Sequence, residues 1–370
     1  MEKFGFGLMR LPVIDNDYSK IDIEQMKKMV DEFMAAGGTY FDTAYVYHKG
    51  NSERAFKEAV VDRYPRESFT LTDKMPIFEI KEEGDLERIF NEQLEKTGVS
   101  YFDYYWLHAL GAERYDKTVQ PFKAFEFIAK KKEEGLIRHI GFSFHDSAEV
   151  LDRILNDHPE VEYVQLQINY IDWEDDNVQS RKCYEVCEKH GKPVIIMEPI
   201  KGGELANVPA EAEKLMKEVN PDLSVASWAI RYAASLPKTF KVLSGMSNIA
   251  QMEDNLSYMK EFKPLDENEK ETIDQVVEII KNTIVVPCTG CRYCVTENTC
   301  PMNICIPDYF RLLNDKKQYK IHGAGEKYAE LNKEYGKASD CLECGMCEEH
   351  CPQHLEIRKY LEMVKKEMEK

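Results

Sequence analysis

Eight of the eleven cysteines fall in two C-terminal runs, Cys288-x2-Cys291-x2-Cys294-x5-Cys300-Pro301 and Cys341-x2-Cys344-x2-Cys347-x3-Cys351-Pro352. Three thiols at two-residue gaps can wrap three corners of a cubane iron–sulfur cluster through one turn of backbone. A fourth, turned away by the following proline, typically reaches the other cluster of a pair. The spacing therefore assigns one [4Fe-4S] cluster to Cys288, Cys291, Cys294 and Cys351, and a second to Cys341, Cys344, Cys347 and Cys300. Structural zinc favours paired C-x2-C knuckles, often mixed with histidine, over triplets closed by Cys-Pro. Disulfides suit secreted chains, and Met1-Glu2-Lys3-Phe4-Gly5 has no apolar signal core. The expectation is an oxygen-sensitive cytoplasmic protein that handles single electrons. Cys183, Cys187 and Cys305 stand outside the runs and read as packed thiols.

A second group of chemistry-bearing residues lies in the N-terminal half: Asp42, Tyr47, Lys74 and His108. A free phenol titrates at about 10 and is a poor acid or base at neutral pH. A buried ammonium beside it stabilises the phenolate and brings it into working range. In this reading Lys74 tunes Tyr47, Asp42 holds Lys74, and His108 orients a carbonyl oxygen. The set suits proton delivery to a ketone or aldehyde under reduction. Each residue alone also has a plainer reading, as a helix cap or a solvated strand end; the four together outweigh it.

The elements that must position these residues alternate short apolar runs with amphipathic stretches. The strand candidates are Phe4–Met9, Thr39–Ala44, Phe69–Met75, Phe102–His108, Arg138–Ser143, Glu162–Ile168, Pro193–Glu198 and Phe240–Gly245. Helical patterns separate them over Asp22–Gly37, Ser52–Val61, Asp85–Gly98, Val119–Gly135, Ser147–His158, Asn177–Gly191, Ser224–Leu236 and Ile249–Lys260. Eight such units in about 260 residues predict a (β/α)8 TIM barrel, whose chemistry sits at the C-terminal strand ends. Asp42, Lys74 and His108 lie at three successive ends. No G-x-G-x-x-G follows the first strand, which weighs against a doubly wound sheet. The predicted organisation is a barrel over 1–262, a linker helix within 263–285 that packs the two domains together, and a small, mainly helical dicluster ferredoxin-like domain over 286–370.

The net charge of −18 argues against nucleic acid or an anionic membrane as partner, and no apolar stretch is long enough to span a bilayer. It leaves room for a redox protein with a basic patch.

The barrel half resembles the aldo/keto reductase family. Gly5-Phe6-Gly7-Leu8-Met9-Arg10 is similar to its glycine-rich first strand, and Asp42-Thr43-Ala44-Tyr45-Val46-Tyr47 to its D-T-A-x-x-Y element, followed by Gly50-Asn51-Ser52-Glu53. Lys74 and His108 match the remaining catalytic positions. Gly135-Leu136-Ile137-Arg138-His139-Ile140-Gly141-Phe142-Ser143 looks like the family's G-x-I-R-x-I-G-x-S stretch. The resemblance implies that Tyr47 is the proton donor. It also implies cofactor contacts at Gly7, Met9, Asp42, Ser143, Gln165, Met197, Pro199, Lys201, Gly202, Gly245, Ser247, Gln251 and Asn255. Three departures bear on the cofactor. Phe144 stands where an asparagine is common, Met197 where many members stack an aromatic, and Gln251 where NADPH-preferring members carry a basic residue. NADP, NAD and a flavin therefore all remain as readings.

The cysteine half resembles the helical dicluster type found in fused oxidoreductases, with the stretch between Cys300 and Cys341 reading as helical over Pro307–Asp315 and Gly325–Tyr335. Three functions follow. The barrel reduces a small carbonyl compound with NAD(P)H while the clusters exchange electrons; or a flavin or stepwise reduction lets the clusters wire electrons to the barrel; or the chain is an electron-transfer subunit of a larger complex.

Overall fold

The computed structural model describes residues 1–283, 285–296, 300–317 and 323–369. Ile284, in the predicted linker, lies outside the described residues. Eight parallel strands close into a barrel in sequence order. They are β1 (Phe4–Gly7), β2 (Tyr40–Asp42), β3 (Thr70–Met75), β4 (Phe102–Leu110), β5 (Ile137–Phe144), β6 (Tyr163–Gln167), β7 (Val194–Met197) and β8 (Thr239–Gly245). Strand β1 pairs with both β2 and β8, which closes the ring. All eight predicted strands are present.

Side chains alternate across each strand, so a strand residue two places beyond a core residue shares its face. Tyr40, Trp106, Ile195 and Leu243 cluster together and are buried. Asp42 and His108 stand two residues further along β2 and β4 from Tyr40 and Trp106, and Lys74 two further along β3 from Thr72, whose hydroxyl bonds the Tyr40 hydroxyl. The period of two therefore carries the three polar groups to the C-terminal rim. Trp106 needs room: a Cβ at Gly141 would come within 2.6 Å of its ring and 2.4 Å of the Tyr163 carbonyl oxygen.

The helices bury one stripe each. Ile23–Ala35 begins where the Asp22 carboxylate accepts from the Gln25 amide at 3.0 Å. It buries Met26, Met29, Val30 and Phe33, each stabilising by about 2 kcal/mol. Beyond it the chain turns left-handed at Gly37, as the glycine there suggests. A helix at Ala210–Val219 has no counterpart among the predicted ones. Its Pro209 start and the early Glu211 and Glu213 are the signals that mark it.

The contacts divide the chain into two compact units, Met1–Pro199 with Ser227–Leu265, and Ile200–Ala226 with Asp266–Lys370. Reading the sequence assigns all of 1–262 to the barrel; the contacts group the segment after β7 with the C-terminal unit. Within that unit, Ala210–Val219 packs along the helix Glu267–Lys281, and Asn220 Nδ2 donates to Glu269 Oε1 at 2.6 Å. Glu267–Lys281 starts in a reciprocal cap between Asp266 and Glu269 and buries Ile273, Val276 and Ile280. Helices Ile306–Lys317, Ala324–Leu331 and Ile357–Met368 enclose a core that includes Tyr309, Phe310, Leu313, Leu361 and Val364. Among the described residues no helix is long and apolar enough to cross a membrane.

Candidate active site and cysteine hollows

The barrel rim brings Asp42, Tyr47, Lys74 and His108 together. Lys74, 1% exposed, donates to Asp42 Oδ1 at 2.5 Å and to the Thr43 carbonyl oxygen at 2.7 Å. Burial pushes the Asp42 carboxyl up, and the Lys74 ammonium opposes that shift. Gln165 Nε2 donates to the other Asp42 oxygen at 3.3 Å. Tyr47 sits in a short turn after β2, its ring 5.0 Å from Lys74 Nζ and edge-on to the His108 imidazole at 5.9 Å. Burial first, then the charges of Lys74 and Arg114, push the His108 imidazole well below its ordinary value. It is neutral at physiological pH.

The rim is held in unusual backbone. His48 and Lys49, directly after Tyr47, have φ of 52° and 55°; Ala109 after His108 has 57°, and Glu198 after Met197 has 54°. Non-glycine residues in this region cost about 1–3 kcal/mol each, and such strain clusters at functional sites. His48 is locked by two bonds, its Nδ1 to the Tyr18 carbonyl oxygen at 2.8 Å and its Nε2 accepting from the Leu11 amide at 3.1 Å.

The register aligns several expected cofactor contacts. Gly7 pairs with both Asp42 and Gly245, and Ser143 with Gln165. Ser143 Oγ accepts from the Ala109 amide at 2.7 Å, which leaves its own proton available. Met9 lies in the turn after β1 and takes a bond from the Tyr18 hydroxyl on its carbonyl. Met197 is half-buried and Pro199 buried. Ser247 Oγ donates to the Arg10 carbonyl oxygen at 2.8 Å, and Arg10 pairs with Glu198 at 3.6 Å. The Gln251 side-chain carbonyl is turned inward onto the Ser247 amide at 2.7 Å. Asn255 is buried, with no partner for its Oδ1 among the described residues. Lys201 and Gly202 lie in the loop after β7, where Gly202 and Gly203 are left-handed. A Cβ on Gly202 would sit 1.9 Å from the Thr289 carbonyl oxygen.

Reading motifs alone overlooks Phe78 and Arg114. The Phe78 ring lies 5.6 Å from His108 and carries the Arg114 guanidinium 4.9 Å above it. Arg114 Nη1 in turn bonds the Ala109 carbonyl oxygen at 3.1 Å. Neither falls in a motif, so tertiary geometry alone identifies them.

The C-terminal unit holds two hollows of similar size. One, of about 310 Å³, is lined by Cys288, Cys291, Cys294 and Cys351. The other, of about 320 Å³, is lined by Cys300, Cys341, Cys344 and Cys347. Each set takes its fourth thiol from the other run, and Ile306 lines both hollows. Among the described residues, no three His, Cys, Asp or Glu groups close on a single metal ion. Burial, then neighbouring thiols, pushes Cys288 and Cys294 up, and burial, then Glu348 and Cys341, pushes Cys347 up to about 12. Four thiolates in so dry a hollow need positive charge among them, which an iron core supplies. Cys183, Cys187 and Cys305 are buried and line neither hollow, and burial pushes Cys183 up to about 12, as befits packed thiols.

The aldo/keto reductase family model matches residues 3–278 and a 4Fe-4S dicluster domain model matches 287–355. The chain belongs to the aldo/keto reductase family of oxidoreductases and carries a 4Fe-4S dicluster domain fused behind the barrel. It is 23% identical over 286 residues to the uncharacterized oxidoreductase YqkF of Bacillus subtilis, spanning 69% of this chain and 86% of that protein. An uncharacterized oxidoreductase of Schizosaccharomyces pombe, C215.11c, is 25% identical over 267 residues, 69% of this chain and 81% of its own. The barrel superposes on an aldo-keto reductase from Klebsiella pneumoniae solved with NADPH, at TM-score 0.61 and 19% identity, over 74% of this chain and 90% of that one. Aldo-keto reductase AKR11C1 of Bacillus halodurans gives 0.58 and 23%, over 74% and 91%.

Proposed function

We propose that the barrel reduces a small carbonyl compound with NAD(P)H, Tyr47 donating the proton, and that the cysteine hollows hold two [4Fe-4S] clusters that exchange electrons internally or with a partner. The observation that carries the barrel reading is the buried Lys74–Asp42 pair with Lys74 Nζ 5.0 Å from the Tyr47 ring and neutral His108 on its other side. The residues present fit a nicotinamide nucleotide. Ser143 and Gln165 offer polar groups for a carboxamide, and the buried Asn255 Oδ1 suits an adenine amino group. Met197 would face the nicotinamide ring, and Gly7, Met9, Pro199, Gly245, Ser247 and Gln251 would line the rest of the nucleotide. A nicotinamide nucleotide bound there supplies hydride to the carbonyl carbon.

The chain's own work is to place and protonate the oxygen. His108, being neutral, offers an N–H to the carbonyl without adding charge beside Lys74. As negative charge develops on the oxygen, the Tyr47 hydroxyl gives up its proton. The Lys74 ammonium stabilises the resulting phenolate, and Asp42 holds Lys74 in place through their buried ion pair. Phe78 and Arg114 wall the side nearest His108 and bear on substrate choice.

A second reading has a specific observation behind it. Met197 offers a nicotinamide no aromatic stacking face, and a 4Fe-4S dicluster domain sits in the same chain. A flavin in the barrel would convert between paired and single electrons. Anaerobic purification followed by titration with NADH and NADPH separates the two, tracking iron, flavin and cluster bleaching together. Bound flavin favours the second reading, and nicotinamide-dependent carbonyl reduction without flavin favours the first. Tyr47→Phe should abolish carbonyl reduction yet bind nucleotide normally; an active Tyr47→Phe enzyme overturns the proton-donor assignment.

A further inference from the structure

The two cysteine hollows differ in how exposed their lining residues are. In the hollow of Cys288 and Cys294, Cys294 and Cys351 are buried, Cys288 and Cys291 are half-buried, and Thr289 is 2% exposed against the Gly202 loop. Asn314 fastens this side, taking the Val286 amide on Oδ1 at 2.9 Å and giving Nδ2 to the Val286 carbonyl oxygen at 2.8 Å and to Glu204 at 3.2 Å. The other hollow has exposed residues in its lining. Cys344 is exposed, and so are Leu342 at 64% and Met346 at 42%. Among the described residues only Ile14 joins these two as an exposed large hydrophobic. Single exposed apolar residues are ordinary, but two within five positions, beside a thiol that lines a hollow, form a patch. Carboxylates ring it: Asp340, Glu343 and Glu349 are exposed, and Glu348 is engaged by Arg358 at 2.7 Å.

We propose that the Cys300, Cys341, Cys344 and Cys347 site is the port through which single electrons cross the surface, and that Leu342 and Met346 within their acidic ring form the docking face for a basic one-electron redox protein. The proposal rests on the two-cluster reading. A small apolar centre with a charged rim suits a brief encounter. Redox pairs of this kind bury little area, and complementary charge raises their association rate more than their affinity. Ile306, common to both hollows, borders the port and the Cys288 site alike. Each crossing would move one electron, lost by a reduced cluster held at these four thiols and gained by a ferric haem, which becomes ferrous.

The test uses the anaerobic, chemically reduced holoprotein mixed in stopped flow with ferricytochrome c, a basic one-electron acceptor, and separately with menadione, a small neutral one. Leu342→Ser with Met346→Ser should slow the cytochrome reaction about tenfold, and Glu343→Gln with Glu349→Gln about fivefold at low salt with a flattened salt dependence. Iron content and the menadione rate should stay unchanged. Glu211→Gln with Glu213→Gln, on the Ala210–Val219 helix, is the charge control and should leave both rates as they were. Unchanged cytochrome rates in the port variants overturn the proposal, as does an equal loss in the control. Self-association abolished by the Leu342 and Met346 changes would assign the face to a second copy and likewise overturn it. Absence of clusters in the purified protein would instead sink the underlying reading.

Discussion

His48 makes the turn beneath Tyr47 sensitive to acid. Its Nε2 accepts from the Leu11 amide, so the ring proton must reside on Nδ1, where it is donated to the Tyr18 carbonyl oxygen. A second proton would put two donors face to face at Nε2. Burial accordingly holds the imidazole down to about 4 from 6.5. Between those values the unfolded chain takes up a proton that the folded chain refuses, so the stability is complete above about pH 6.5 and drains away as pH falls toward 4. Linkage over that interval gives a loss of about 2 kcal/mol between pH 7 and pH 5. His48→Asn tolerates the left-handed backbone but does not titrate. It should cost about 1–3 kcal/mol at pH 7 through the orphaned Leu11 amide, yet lose about 2 kcal/mol less than the wild type on going to pH 5. All three tryptophans, Trp106, Trp173 and Trp228, lie in the barrel unit, so urea unfolding followed by their fluorescence reports the barrel apart from the cysteine hollows. Parallel losses in the two proteins between pH 7 and pH 5 would refute the argument.

Asp42→Ala should leave the Lys74 ammonium buried without its counter-charge and destabilise the barrel by about 3–5 kcal/mol, read by the same unfolding experiment; a change under about 1 kcal/mol would mean water reaches the pair. Cys351→Ala should remove the spectroscopic signal of the cluster held by Cys288, Cys291 and Cys294, and selective loss of the Cys341 signal would reverse the ligand exchange. Gly202→Ala places a side chain on a left-handed residue and drives it toward the Thr289 carbonyl, so iron should be lost from the Cys288 hollow first. Equal loss from both hollows would show that the contact carries no such local weight.

The barrel was readable because parallel strands buried on both faces produce short apolar runs, and because period-two alternation carries Asp42 from Tyr40 and His108 from Trp106. Residues whose roles depend on a strand position could be found this way. Phe78, Arg114 and Arg10 act by reaching across loops, and nothing in their own neighbourhood in the chain records that reach. The same limit applies to what Ala210–Val219 packs against. The helix has ordinary caps and periodicity, but its partner, Glu267–Lys281, lies some fifty residues downstream. The inward turn of Gln251 onto Ser247 was equally invisible, since sequence gives the residue type but not the rotamer.

That interleaving has a consequence for how such a fusion is inherited and built. The polypeptide leaves the barrel unit after Pro199, contributes Ile200–Ala226 to the other unit, and returns at Ser227 to make β8. A gene shortened to codon 265 would still encode Ala210–Val219 but not the Glu267–Lys281 helix it packs along, leaving Ala212 and Met216 without their cover. A junction that removes the cysteine runs and spares this packing has to fall after Lys281, beyond the helix Glu267–Lys281. On the ribosome, too, that connection emerges before its partner helix and must wait for it.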